Sequence, residues 1–132
     1  MKGSYLLLIE VKEGKNIKIG KIGEIYFPKG YYIYVGSAMN NIEKRIARHI
    51  KKNKKMRWHI DYLIEKTDLI EIFYKECEVK EECSIAEKFL INGFSSIKKF
   101  GASDCKCKSH LFYTKNKGEF YKLAEKIGMK RM

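Results

Sequence analysis

Two tyrosines, an arginine, a histidine and a carboxylate stand out in this chain because their neighbours suit them to phosphate and metal chemistry. Tyr5 follows Gly3 and Ser4 at the head of one strand-like run, and Tyr34 precedes Val35 and Gly36 at the end of another. If those strands are neighbours, two phenol groups converge on one sheet. Gly36, Ser37 and Ala38 stand ahead of Asn40 and Asn41, which offer an N-cap to a basic helix. Small residues there allow close backbone approach and a helix start favours an anion, which makes Gly36 and Ser37 candidate substrate contacts. On the helix, Arg45 borders an apolar stripe of Ile42, Ile46 and Ile50, and its planar fork of donors matches a phosphate. His49, one turn on, is a candidate proton acceptor or phosphate ligand. Lys52 lies along the same border and Arg48 on the opposite, solvent side, and both extend the basic surface open to a substrate. Plainer readings stand beside these: strand tyrosines are common, arginines cover apolar surface, and a lone histidine on a helix edge is more often structural.

The carboxylate lies on a later helix, from Glu81 to Asn92, whose apolar face comprises Cys83, Ile85, Ala86, Phe89 and Leu90. Steps of 100° put Glu82 near the middle of that face and Glu87 at its far edge. A buried carboxylate needs a cation or hydrogen-bond donors, and Mg²⁺ or Mn²⁺ would suit an oxygen ligand. Backbone amides in the first helical turn would also satisfy it. Cysteines occur at 77, 83, 105 and 107. Cys105 and Cys107 with His110 could contribute to a metal site, but a C-x-C spacing without a second matched pair favours buried thiols.

The elements that must position these groups follow from hydrophobic periodicity. Ser4 to Val11 is almost continuously apolar, as expected of a strand covered on both faces. Ile17 to Phe27 predicts a hairpin, Tyr31 to Val35 a further strand, and Asn41 to about Lys52 the basic helix. A second helix is predicted over 55–66, burying Met56, Ile60, Leu63 and Ile64, with Trp58 and Tyr62 as an i, i+4 aromatic pair. Leu69 to Tyr74 reads as a strand, Leu111 to Tyr113 as a short one, and Gly118 to Ile127 as a last helix. The expected fold is α+β: one domain over residues 1–132, with a mostly antiparallel sheet flanked by helices.

Charge narrows the partner. The chain carries 28 Lys and Arg against 16 Asp and Glu, a net +12. Residues 40–58 hold eight of the bases and one acid, whereas 68–87 hold seven acids and two lysines, so one face is basic. That segregation favours a nucleic-acid partner. No apolar run is long enough to span a membrane. Met1 to Ser4 leads straight into a strand without an apolar signal region, so a cytoplasmic location is expected.

Taken together, Gly3-Ser4-Tyr5, Tyr34-Val35-Gly36, Arg45 with His49, and the acid of the third helix resemble the GIY-YIG nuclease superfamily. Three longer strings, Tyr31 to Ala38, Trp58 to Leu63 and Phe100 to Leu111, are similar to its stand-alone Uri-type branch. The gap from Tyr5 to Tyr34 exceeds the usual short hairpin because of the extra hairpin at Ile17 to Phe27. Glu82 matches the metal-binding glutamate, with Glu87 as a competing match. The resemblance implies phosphodiester hydrolysis with one Mg²⁺ or Mn²⁺ ion on Glu82. Arg45 would neutralise phosphoryl charge, and Tyr5 or Tyr34 would position the attacking water. The expected partner is DNA in preference to RNA, met by a monomer or a homodimer. A nucleic-acid-binding module of the same fold without catalysis is the alternative, and a zinc-stabilised interaction module using Cys105, Cys107 and His110 is a third class.

Overall fold

The computed structural model describes residues 1–101 and 107–132. Strand β1 (Gly3–Val11) is buried on both faces except at Glu10, as its continuous apolar run requires. It pairs antiparallel with β4 (Gly30–Ala38) on one side and with β5 (Asp68–Glu76) on the other. The intervening β2 (Lys15–Ile19) and β3 (Gly23–Phe27) form a separate two-stranded hairpin that folds Ile17, Ile19 and Phe27 into the core. Short strands β6 (Ser95–Ser96), β7 (Leu111–Thr114) and β8 (Lys130–Arg131) complete a six-stranded antiparallel sheet in the order β6-β7-β4-β1-β5-β8.

Helices cover both faces. Helices α1 (Ile42–Ile50) and α2 (His59–Lys66) pack with the hairpin over Tyr5, Leu7, Ile9 and Tyr32. Helices α3 (Glu82–Ile91) and α4 (Lys117–Lys126) cover Leu6, Leu8, Ile33 and Val35 on the other. This is the α+β class expected. Among the described residues no helix is long and apolar enough to cross a membrane.

Several local expectations need correcting. The strand expected over Tyr31 to Val35 is longer: Gly36, Ser37 and Ala38 continue β4, paired with Tyr5, Ser4 and Gly3 of β1. Helix α1 is capped by Asn41, whose side chain accepts from the Lys44 amide at 2.9 Å, but it stops at Ile50. Lys51 turns extended, at φ −59° and ψ 132°, and Lys54 donates to the exposed carbonyls of Arg48 and His49. The chain then folds back toward α1, with Arg48 donating to the Lys55 carbonyl at 3.0 Å. Ile50 is therefore exposed, and His49 takes its place in the buried stripe beside Ile42 and Ile46. Helix α2 starts only at His59, so Met56 lies outside it and Trp58 and Tyr62 part company. Tyr62 packs over Gly20 of the hairpin, while Trp58 faces α1.

Candidate active site

Register explains how the two tyrosines meet. Tyr5 of β1 lies opposite Gly36 of β4, and Leu7 lies opposite Tyr34. Directly opposed residues share a face, so Tyr5 and Tyr34 are diagonal neighbours on the side covered by α1. Gly36 is what lets Tyr5 lie flat across the ladder: a Cβ there would stand 2.4 Å from Tyr5 Cζ and 2.5 Å from its hydroxyl. Gly36 is thus buried beneath a phenol ring, which corrects its assignment as a substrate contact.

Helix α1 supplies the next groups. The Tyr5 hydroxyl and His49 Nε2 are 2.8 Å apart, and the His49 ring lies 6.2 Å from that of Tyr34. His49 is wholly buried, and burial pulls its pKa down to about 3 despite the opposing attraction of Asp61. Its Nδ1 is buried and meets no hydrogen-bond partner among the described residues. Burial likewise pushes the Tyr5 hydroxyl up to about 12, although the Arg45 charge and its hydrogen bonding pull the other way. Tyr34 is raised further, again chiefly by burial. At neutral pH the site therefore holds two neutral phenols against a neutral imidazole, with the shared proton on Tyr5 or on the imidazole nitrogen facing it.

Arg45 and Glu82 approach from opposite layers and meet at Ser37. Arg45 Nη1 donates to the Ser37 carbonyl at 3.2 Å, and the Ser37 hydroxyl donates to Glu82 Oε2 at 3.0 Å. Glu82 and Arg45 both act electrostatically on Tyr5 and on Tyr34. Five expected site residues, Tyr5, Tyr34, Arg45, His49 and Glu82, thus converge where β1 begins and β4 ends. Ser37 is buried and joins Arg45 to Glu82, which makes it a positioning residue in place of a substrate contact.

Glu82 is half-buried on the stripe that carries Ile85 and Ala86, whereas Glu87 is exposed on the far side of α3. The geometry favours Glu82 of the two acids. A single carboxylate on an ion that keeps several waters is a set Mg²⁺ or Mn²⁺ accepts, so the residues present fit such an ion.

Two other basic candidates do other things. Arg48 is not on a solvated face: its Nη1 and Nη2 form a two-pronged pair with Asp61 at 3.0 Å each. Asp61 is wholly buried and also accepts from the amides of Arg57 and Trp58 at 2.9 and 3.0 Å. Burial opposes its ionisation, but the Arg48 fork and those amides outweigh it and hold its pKa below the usual carboxylate range. Lys52 lies beyond the end of α1 and lines a separate groove of about 840 Å³ with Lys54, Met56, Ile64 and Met132. That groove contains none of the converging residues.

Trp58 and Asp61 were not among the candidates, yet they position one that was. The guanidinium carbons of Arg45 and Arg48 lie 4.7 and 4.2 Å from the centre of the Trp58 ring. Asp61 fixes Arg48, Arg48 packs on Trp58, and Trp58 holds Arg45 toward Ser37. The sequence signal was an acid flanked by aromatics in a first helical turn; its arginine partner, thirteen residues away, could not be read locally. A third cluster comprises Cys83, Cys107 and His110, whose ligating atoms lie within 4.8 Å of one another. Cys83 was expected on the apolar face of α3 and is exposed instead, in the first turn of that helix. Cys105 lies outside the described residues.

These features define a small α+β domain with a mixed acid, guanidinium and phenol site at one end of its sheet. The chain belongs to the family described as domain of unknown function DUF123, whose model matches residues 4–131. No curated protein and no solved structure matches it.

Proposed function

We propose that the chain is a cytoplasmic, divalent-metal-dependent endonuclease of the GIY-YIG type, close to the Uri branch, that hydrolyses phosphodiester bonds in nucleic acid, DNA in preference to RNA. The observation that carries this reading is the meeting of Tyr5, Tyr34, Arg45, His49 and Glu82 around Ser37. A module that only binds nucleic acid needs basic surface, but it has no use for a carboxylate and a guanidinium joined through the hydroxyl and the carbonyl of one serine.

Each residue has a definable task. Arg45, with one donor spent on Ser37, offers its remaining N–H groups to phosphoryl oxygens and offsets charge that develops there. Glu82, oriented by Ser37, would hold the ion, which when bound supplies Lewis-acid polarisation of the phosphate and stabilises the departing oxygen. Tyr5, with a pKa about 12, is a poor general base and serves as a neutral hydroxyl that orients water or phosphate. His49 fixes that hydroxyl at 2.8 Å and, with its own pKa pulled down to about 3, stays neutral and orients Tyr5 without serving as the base.

Cleavage profiling on plain, branched and gapped DNA and on matched RNA, with Mg²⁺, with Mn²⁺ and with a chelator, tests the proposal. Metal-dependent products from DNA support it. Binding with no product on any substrate would replace it with the non-catalytic alternative.

A further inference from the structure

We infer that Cys83, Cys107 and His110 form a second metal site, chemically distinct from Glu82, that takes a borderline-to-soft divalent ion, zinc above all. The inference stands whether or not the chain cleaves nucleic acid. Cys83 comes from the first turn of α3 and the other two from the segment that leads into β7. Cys83 Sγ and His110 Nε2 are 3.8 Å apart, and the three ligand atoms fit within 4.8 Å. A tetrahedral zinc with sulfur at about 2.3 Å and nitrogen at about 2.0 Å sets ligand-to-ligand edges of roughly 3.5–3.8 Å. One edge already has that length, and the others need on the order of 1 Å of side-chain adjustment.

The backbone at His110 is held on both sides. The His110 amide donates to the Phe100 carbonyl at 2.8 Å, and its carbonyl accepts from Val35 of β4 at 2.9 Å. His110 is itself buried at the base of the cluster. Cys83 is exposed and Cys107 half-buried, so an ion can reach them from solvent. Two sulfurs and an imidazole discriminate against Mg²⁺ and Mn²⁺, which the oxygen of Glu82 suits. With three ligands among the described residues, a tetrahedral ion has a fourth position for water or another donor.

The consequence is positional. Glu82 immediately precedes Cys83, so an ion on the cluster ties the start of α3 to the strap ahead of β7. It would thereby fix the carboxylate that Ser37 engages. The chain would carry a clamp of one metal type beside a reaction site of another.

The test uses the full chain, purified under reducing conditions and stripped of metal, and titrated with Co²⁺ or Zn²⁺ alone. The expected result is about one equivalent of zinc per chain, and with cobalt the near-ultraviolet thiolate charge-transfer band of a tetrahedral site. Cys83→Ser and Cys107→Ser should each weaken binding by about tenfold or more and diminish that band. Cys77→Ser should leave it intact, and excess Mg²⁺ should not displace the cobalt. Zinc should raise the melting temperature of the wild-type chain but not of the Cys83→Ser Cys107→Ser variant. Cys83 is exposed, so the single variant is expected to fold, and circular dichroism checks this. A cobalt band unchanged by Cys83→Ser would overturn the inference, as would fully reduced protein that binds neither ion, or a Cys83–Cys107 disulfide found by mass spectrometry. None of these readouts involves cleavage, so failure here is distinguishable from failure of the nuclease proposal.

Discussion

His49 gives the most quantitative consequence of the site. Buried against Tyr5, it has a pKa of about 3 where an ordinary histidine has 6.5. The unfolded chain takes up a proton as the pH falls past about 6.5, and the folded chain does not until about pH 3. Over that window the unfolded state binds more protons, so stability is full above about pH 6.5 and declines on acidification. Between about pH 7 and about pH 5 the shift costs about 2 kcal/mol through this one ring. His59 and His110 are lowered by burial too and add to the wild-type slope. His49→Gln keeps an acceptor for Tyr5 and removes the titration. Urea unfolding of both chains at several pH values should give curves whose separation changes by about 2 kcal/mol across the window, the variant being the less acid-sensitive. Parallel pH dependences would show that His49 is not held neutral, and the description of the Tyr5–His49 pair would be wrong.

Other substitutions probe the scaffold around it. Gly36→Ala drives a methyl into the Tyr5 ring and should cost about 1–3 kcal/mol while displacing the hydroxyl from His49, measured by denaturation and by loss of cleavage. Asp61→Asn strips the buried partner from Arg48 and should cost on the order of 3 kcal/mol, seen as a lower urea midpoint at neutral pH. Glu82→Gln should reduce metal-dependent cleavage by on the order of a hundredfold, whereas Glu87→Gln, on an exposed face, should cleave like wild type.

How far these arrangements can be read from sequence depends on whether their causes are local. The doubly buried β1 was legible because a strand covered on both faces has no polar alternation, and Asn41 because a cap acts within three residues. The half-burial of Glu82 was legible because three- and four-residue spacings tie it to Ile85 and Ala86. Ile50 and His49 were exchanged because helical periodicity cannot say where a helix stops, and α1 ends where Lys54 caps its carbonyls. Gly36 was assigned to an anion because its true constraint, the Tyr5 ring across the ladder, exists only once β1 and β4 are in register. Arg48 was placed in solvent for the same reason: Asp61 reaches it only after the chain has folded back toward α1.

Plasmid relaxation tests the joint action of these residues most directly, with filter binding read on the same samples. Wild-type protein with Mg²⁺ or Mn²⁺ should nick the plasmid, and Arg45→Ala and Glu82→Ala should each abolish nicking while binding persists. Nicking that survives both substitutions, or that proceeds unchanged in a chelator, would contradict a reaction centred on Arg45, Glu82 and the tyrosine pair.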